Sequence, residues 1–141
     1  MLNYKKIISR LLDQNIYILS NDDKEAIIID PGLGFDLIDG YLKSENLSPI
    51  AVLATHAHID HIASANDCIK NYNIPFYICR GNSIMLDHYD IMKGYMHVDS
   101  EKPKVSHWIE DSDKKLIIGS FEFNVNYNPG HSPGCMSFEI D

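Results

Sequence analysis

Ile50-Ala51-Val52-Leu53-Ala54-Thr55 runs without a break into His56-Ala57-His58-Ile59-Asp60-His61. The first half reads as a short buried strand, because a continuous apolar run of this length suits a strand covered on both faces. The second half places four potential metal ligands within six residues. Imidazole nitrogen and carboxylate oxygen suit zinc, and also iron or manganese. Drawn as extended backbone, His56, His58 and Asp60 project to one side at period two, whereas His61 points elsewhere. One ion could not easily take all four groups; two adjacent ions could divide them. The placement also suits a site, since α/β sheets hold ligands beyond the carboxyl ends of their strands. The alternative is a group of surface histidines in a polar loop. An apolar strand before the cluster and a helix after it argue against that.

Upstream, Tyr4–Ser9, Asn15–Ser20 and Ala26–Asp30 read as strands. Ile27-Ile28-Ile29 is again continuously apolar, and Asp30-Pro31-Gly32 stops it, because proline lacks a donor and glycine permits a sharp reversal. Residues 35–46 predict a helix with Leu37, Ile38, Tyr41 and Leu42 on one stripe. A second helix is expected over Ile62–Tyr72, with Ile62, Ala65, Cys68, Ile69 and Tyr72 inward, ended by Pro75. Phe76–Cys79 is the next strand. Strand and helix thus alternate from residue 26 to 79, which predicts an α/β sheet. Beyond it, a helix is expected around Ser83–Lys93. Lys114–Ile118 and Phe121–Tyr127 read as a hairpin around Gly119-Ser120, and Cys135–Ile140 as the last strand. Phe121, Phe123, Val125 and Tyr127 alternate with polar residues, so one face of that strand should be buried.

At 141 residues the chain reads as one domain. A domain of this size buries roughly 68% of the surface of its unfolded chain, so a true core is expected. The net charge of −8, with basic residues scattered, argues against a nucleic-acid partner. No stretch has the length of a membrane span, and no leader peptide is read at the start, because Ser9 and Arg10 interrupt the early apolar residues. Cys68, Cys79 and Cys135 are odd in number and far apart, which predicts free thiols and a cytoplasmic location. Cys68 and Cys79 are expected in the core.

His131 lies in Asn128-Pro129-Gly130-His131-Ser132-Pro133-Gly134, a loop stiffened by prolines whose glycines let the backbone come close to an ion. By itself this is only a good turn; beside the earlier cluster it becomes a candidate ligand. His88, His97 and His107 have no local partner set, and solvated or hydrogen-bonded side chains are expected there. Cys135, close to His131 in sequence, reads as a packed strand residue.

These motifs together resemble the metallo-β-lactamase superfamily. The signature H-x-H-x-D-H stands in full at residues 56–61 after the usual Thr55. Asp30-Pro31-Gly32 matches the family's earlier aspartate motif. Residues 128–134 match its P-G-H-T-P-G loop, with Ser132 for threonine. Within the superfamily the chain is most similar to small glyoxalase II-like hydrolases. The resemblance implies an αββα sandwich with metal at one edge of two sheets. It implies that His56, His58 and His131 hold a first ion, that Asp60 and His61 serve a second, and that Asp30 supports the histidine loop from beneath. A turn aspartate capping the next segment is the plainer reading of Asp30. The family's bridging aspartate and final histidine have no counterpart, and Asp141 does not fit the bridging role. The sequence therefore looks like the N-terminal two-thirds of such a sandwich. Apolar strand faces left without cover, and a weak second metal site, are the expected consequences.

The implied chemistry is metal-dependent hydrolysis of a small-molecule substrate. One or two zinc ions, or iron or manganese, would activate water for attack on a thioester such as a hydroxyacyl-glutathione, with Asp60 accepting a hydrogen bond from the nucleophile. A mononuclear-iron persulfide dioxygenase-like enzyme and a catalytically inactive metal-binding fragment are the competing readings. Substrate, metal count and oligomeric state stay open at this level.

Overall fold

Residues 1–141 are described by a computed structural model. Six strands form one sheet, in chain order: β1 (Asn3–Ile8), β2 (Asn15–Ser20), β3 (Glu25–Ile29), β4 (Ser48–Leu53), β5 (Phe76–Cys79) and β6 (His107–Ile109). The first three pair antiparallel, and β3 through β6 pair parallel. A second, antiparallel sheet contains β7 (Lys115–Ile118), β8 (Phe121–Tyr127) and β9 (Met136–Glu139). The crossovers between parallel strands carry α1 (Phe35–Ser44), α2 (Ile59–Ile62), α3 (Ala65–Tyr72), α4 (Ser83–Asp87) and α5 (Tyr89–Met96).

Strand alternation divides the core in two. Ile28 and Val52 face the helices, where Ile38, Leu42, Ile62 and Tyr89 cover them. Ile27 and Leu53 face the second sheet and meet Ile118, Phe121, Phe123 and Val125. The layers are therefore helices, sheet and sheet, three of the four layers of an αββα sandwich. The triple isoleucine of β3 is apolar throughout because consecutive residues serve opposite layers.

The apolar strand faces expected to lack cover are covered in the second sheet but not at the β1 edge of the first, where Tyr4 and Ile8 are 74% and 48% exposed. β8 buries Phe121, Phe123 and Val125, while Glu122, Asn124 and Asn126 are exposed. The outer face of the second sheet is thus largely polar, with Ile117 as its exposed apolar residue.

Two helices break where the sequence pattern is continuous. The expected helix over Ile62–Tyr72 is split at Ala63-Ser64, and α2 starts earlier, at Ile59. The buried Ser64 explains the break: its N–H donates to the Pro31 carbonyl (2.9 Å) and its hydroxyl accepts from the Gly34 N–H (3.2 Å). Tertiary partners replace helical ones. The expected helix around Ser83–Lys93 is likewise split at His88 and runs on to Met96. Strand β6, three residues long, carries too little alternation to be read from sequence. No helix is long and apolar enough to cross a membrane.

Docking of the second sheet predicts unequal effects on its two faces. Phe123→Ala should cost about 3–5 kcal/mol in denaturant unfolding. Ile117→Ala, on the outer face, should change stability by less than about 0.5 kcal/mol. Similar losses for both would contradict this layering.

Candidate metal centre

Parallel pairing of β3 with β4 sets Ile29 opposite Leu53, so the residues that follow each strand meet at one sheet edge. Asp30 follows β3 with φ of 51°. Aspartate tolerates this left-handed conformation better than most residues. The turn carries its carboxylate under Thr55, where it accepts three hydrogen bonds. The Thr55 N–H donates to Oδ1 at 2.7 Å. The Thr55 hydroxyl and His61 Nδ1 donate to Oδ2, at 2.7 and 2.9 Å. Gly32 makes the fit possible: a Cβ there would stand 2.5 Å from the Asp60 carbonyl oxygen. Any side chain would push the Asp30 turn away from α2.

This network sets the histidine tautomers. The Thr55 hydroxyl hydrogen is committed to Asp30, so the oxygen accepts from His56 Nδ1–H at 3.1 Å. His61 likewise has its Nδ1 hydrogen on Asp30. In its neutral form each ring is left with an unprotonated Nε2. That of His61 lies 3.5 Å from Asp60 Oδ2. That of His56 is buried and has no hydrogen-bond partner.

His58 and His131 complete the arrangement around that bare nitrogen. His56, His58 and His131 each offer one ligand atom, all within 4.8 Å of one another. Their rings meet edge to face, with centroids 4.6–5.0 Å apart. His56 is buried, His58 half-buried and His131 exposed, so the group opens to solvent on the His131 side. Asp60 and His61 lie outside this trio. The period-two projection of His56, His58 and Asp60 fails at its last member, because α2 has already begun at Ile59 and turns Asp60 away. His131 takes that place instead. Asp60 and His61 instead form a neighbouring pair, the His61 ring centroid being 4.1 Å from that of His56.

Burial pushes His56 down to about 3, helped by the imidazoles of His61, His58 and His131. Burial also lowers His58, with His131 adding to the effect and Asp60 opposing it. For His61, burial alone acts downward. The hydrogen bond and charge of Asp30, joined by Asp60, outweigh it and raise the group. His56 and His58 are thus built to present neutral, lone-pair-bearing imidazole. A borderline transition-metal cation fits this donor set, and would satisfy the buried His56 Nε2.

The other histidines stand apart. His88 Nδ1 contacts the Ile84 carbonyl at 2.8 Å, His97 ends α5, and His107 stacks on Tyr77. Cys68 and Cys79 are buried, while the half-buried Cys135 lies 3.1 Å from the Ser132 hydroxyl. A cavity of about 310 Å³ opens beside His58 and Asp60, walled by Ile59, Met92, Tyr95 and Met96. One residue of the site region escapes sequence reasoning: Asn82, fully buried behind the trio. A lone asparagine after glycine signals no more than a turn.

The Metallo-beta-lactamase superfamily profile matches residues 9–141. The chain is 33% identical over 131 residues to the probable metallo-hydrolase YqgX of Bacillus subtilis (strain 168), covering 92% of this chain and 61% of that protein. It is 43% identical over 133 residues to a hydroxyacylglutathione hydrolase of Buchnera aphidicola subsp. Schizaphis graminum, covering 94% and 46%. Among solved structures, the B3 metallo-beta-lactamase BLEG-1 superposes with a TM-score of 0.86 at 36% identity, over 98% of this chain and 67% of that one. The chain thus spans about half to two-thirds of the length of these relatives. With the Asp30–Thr55 support, the 56–61 cluster and the His131 loop meeting on this fold, the chain belongs to the metallo-beta-lactamase superfamily.

Proposed function

We propose that His56, His58 and His131 hold a divalent transition-metal ion, with zinc as the first choice, in a hydrolase that cleaves a thioester or related carbonyl substrate. The buried, partnerless Nε2 of His56 carries this reading. A buried acceptor without a partner costs about 1–3 kcal/mol, and two further imidazole nitrogens within 4.8 Å make a cation its natural partner.

A cation in this position supplies Lewis acidity, bringing the pKa of a bound water near 7 and polarising a carbonyl oxygen. The protein's own groups do the rest. Asp30 holds His56, through Thr55, and His61 in their Nδ1–H tautomers. Asp60, a fifth exposed at the rim, can accept the proton of an attacking water at its carboxylate. Asp60 and His61 also offer an oxygen and a nitrogen to a second cation, with fewer ligands than the trio and therefore lower affinity. No serine or cysteine nucleophile is required. The apolar wall of Met92, Tyr95 and Met96 can exclude water from one side of the bond under attack. The thioester assignment rests on similarity to the hydroxyacylglutathione hydrolase of Buchnera aphidicola.

The metal-free chain should take up about one zinc ion tightly by chelator competition, with a rise in Tm, and His58→Ala should abolish both effects. Full metal-independent stability with no zinc affinity would contradict the assignment.

Asp60→Asn should lower turnover of S-lactoylglutathione by about 10²- to 10⁴-fold while the trio still binds zinc. Unchanged turnover would remove Asp60 from proton transfer.

Acid should destabilise the metal-free chain. His56 and His58 reject protons when folded and accept them when unfolded. Their stabilisation is complete above the ordinary imidazole value of 6.5 and is lost as pH falls toward the folded values, about 3 for His56. His61 acts in reverse, stabilising at low pH and losing that contribution as pH rises through its raised value. Two groups, one strongly shifted, oppose one, so the denaturant midpoint should fall between pH 7 and pH 5. A midpoint that rises over that interval would contradict the balance.

A further inference from the structure

The geometry points to Asn82 as the positioning residue that sets how the two ligand-bearing loops sit relative to each other, and so the affinity of the trihistidine group. The inference rests on the metal reading above and concerns a residue outside the ligand set.

Asn82 follows β5 and stands at the head of α4, where asparagine ordinarily caps the helix by accepting from an N–H of the first turn. Its side chain makes no such bond. Its amide faces the site instead, fully buried and fully paired. Oδ1 accepts from the Ala57 N–H at 3.0 Å, the peptide nitrogen between His56 and His58. Nδ2 donates to the Gly134 carbonyl at 2.9 Å, in the loop that carries His131, and to the Cys79 carbonyl at 3.0 Å. One rigid amide thus fixes the His56–His58 backbone and the His131 loop to the end of β5.

The packing is as close as the hydrogen bonding. A Cβ on Gly134 would lie 2.4 Å from Asn82 Nδ2, and one on Gly81 would lie 2.7 Å from the Pro133 carbonyl oxygen. Both glycines let the His131 loop settle on the Gly81-Asn82 corner. The Met136 N–H to Thr55 carbonyl bond, 3.0 Å, joins the same two segments beside it. That bond is backbone alone and survives any side-chain change, so a substitution at Asn82 removes one tie and leaves the other.

The test is zinc affinity by chelator competition, with the visible spectrum of the cobalt-loaded chain as a second reading of ligand geometry. Asn82→Asp keeps the acceptor for the Ala57 N–H but loses the donor to Gly134 and Cys79. Zinc affinity should fall about 10- to 100-fold, and the cobalt bands should shift. Ile38→Val, in the helix-facing core, is the control for lost stability and should keep the affinity of the unaltered chain. Asn82→Ser, which is too short to reach both loops, decides by the same criterion if Asn82→Asp does not fold. Unaltered affinity in a folded Asn82 variant would overturn the proposal, as would an equal loss in Ile38→Val at a matched drop in Tm. An unaltered chain with no zinc affinity would instead fail the metal reading itself, and this inference with it.

Discussion

The carboxylate of Asp30 is the constraint on which the site depends. A buried carboxylate is tolerable only with its oxygens well paired. Here a backbone N–H, a hydroxyl and an imidazole pair them. Because the Thr55 hydroxyl can donate only once, the bond to Asp30 decides which nitrogen of His56 keeps a hydrogen. One acid at the end of one strand thereby determines the chemistry of a loop that follows another.

The sheet order explains why this works at a distance in sequence. Parallel β3 and β4 end together, so the Asp30 turn and the histidine loop share an edge. The second sheet packs on the first through Ile27, Leu53, Phe121 and Phe123, and brings the loop between β8 and β9 to that edge with His131 on it. Core burial between the sheets and ligand convergence are therefore coupled. Asn82 pairs the Ala57 N–H and the Gly134 carbonyl, and bonds within the His131 loop itself pair the N–H groups of Asn128, Gly130 and Cys135.

Much of this could be read from residues alone, for physical reasons. His56, His58 and His61 fall in a short motif whose ligand density has few structural uses, whereas Asp30 taken alone reads as a turn residue; strands such as Ile27–Ile29 declare themselves by composition. The buried face of β8 follows from its alternation, whereas the layered sandwich is what the family resemblance implies. Other features depend on partners remote in sequence. The break at Ser64 arises from Pro31 and Gly34, which no helical periodicity can reveal. Asp60 looked equivalent to His56 and His58 only while the backbone was drawn extended; an early helical turn removed it from their group. Asn82 carried no signal because its meaning lies in the two loops it touches.

The most direct measurement is the tautomer of His56 in the metal-free chain, read from nitrogen-15 chemical shifts and long-range proton–nitrogen couplings. Preparation of the site by Asp30 and Thr55 requires the hydrogen on Nδ1, with an unprotonated Nε2 facing His58 and His131. A His56 ring protonated at Nε2 would mean that Asp30 and Thr55 do not prepare the site, and would contradict the account at its base.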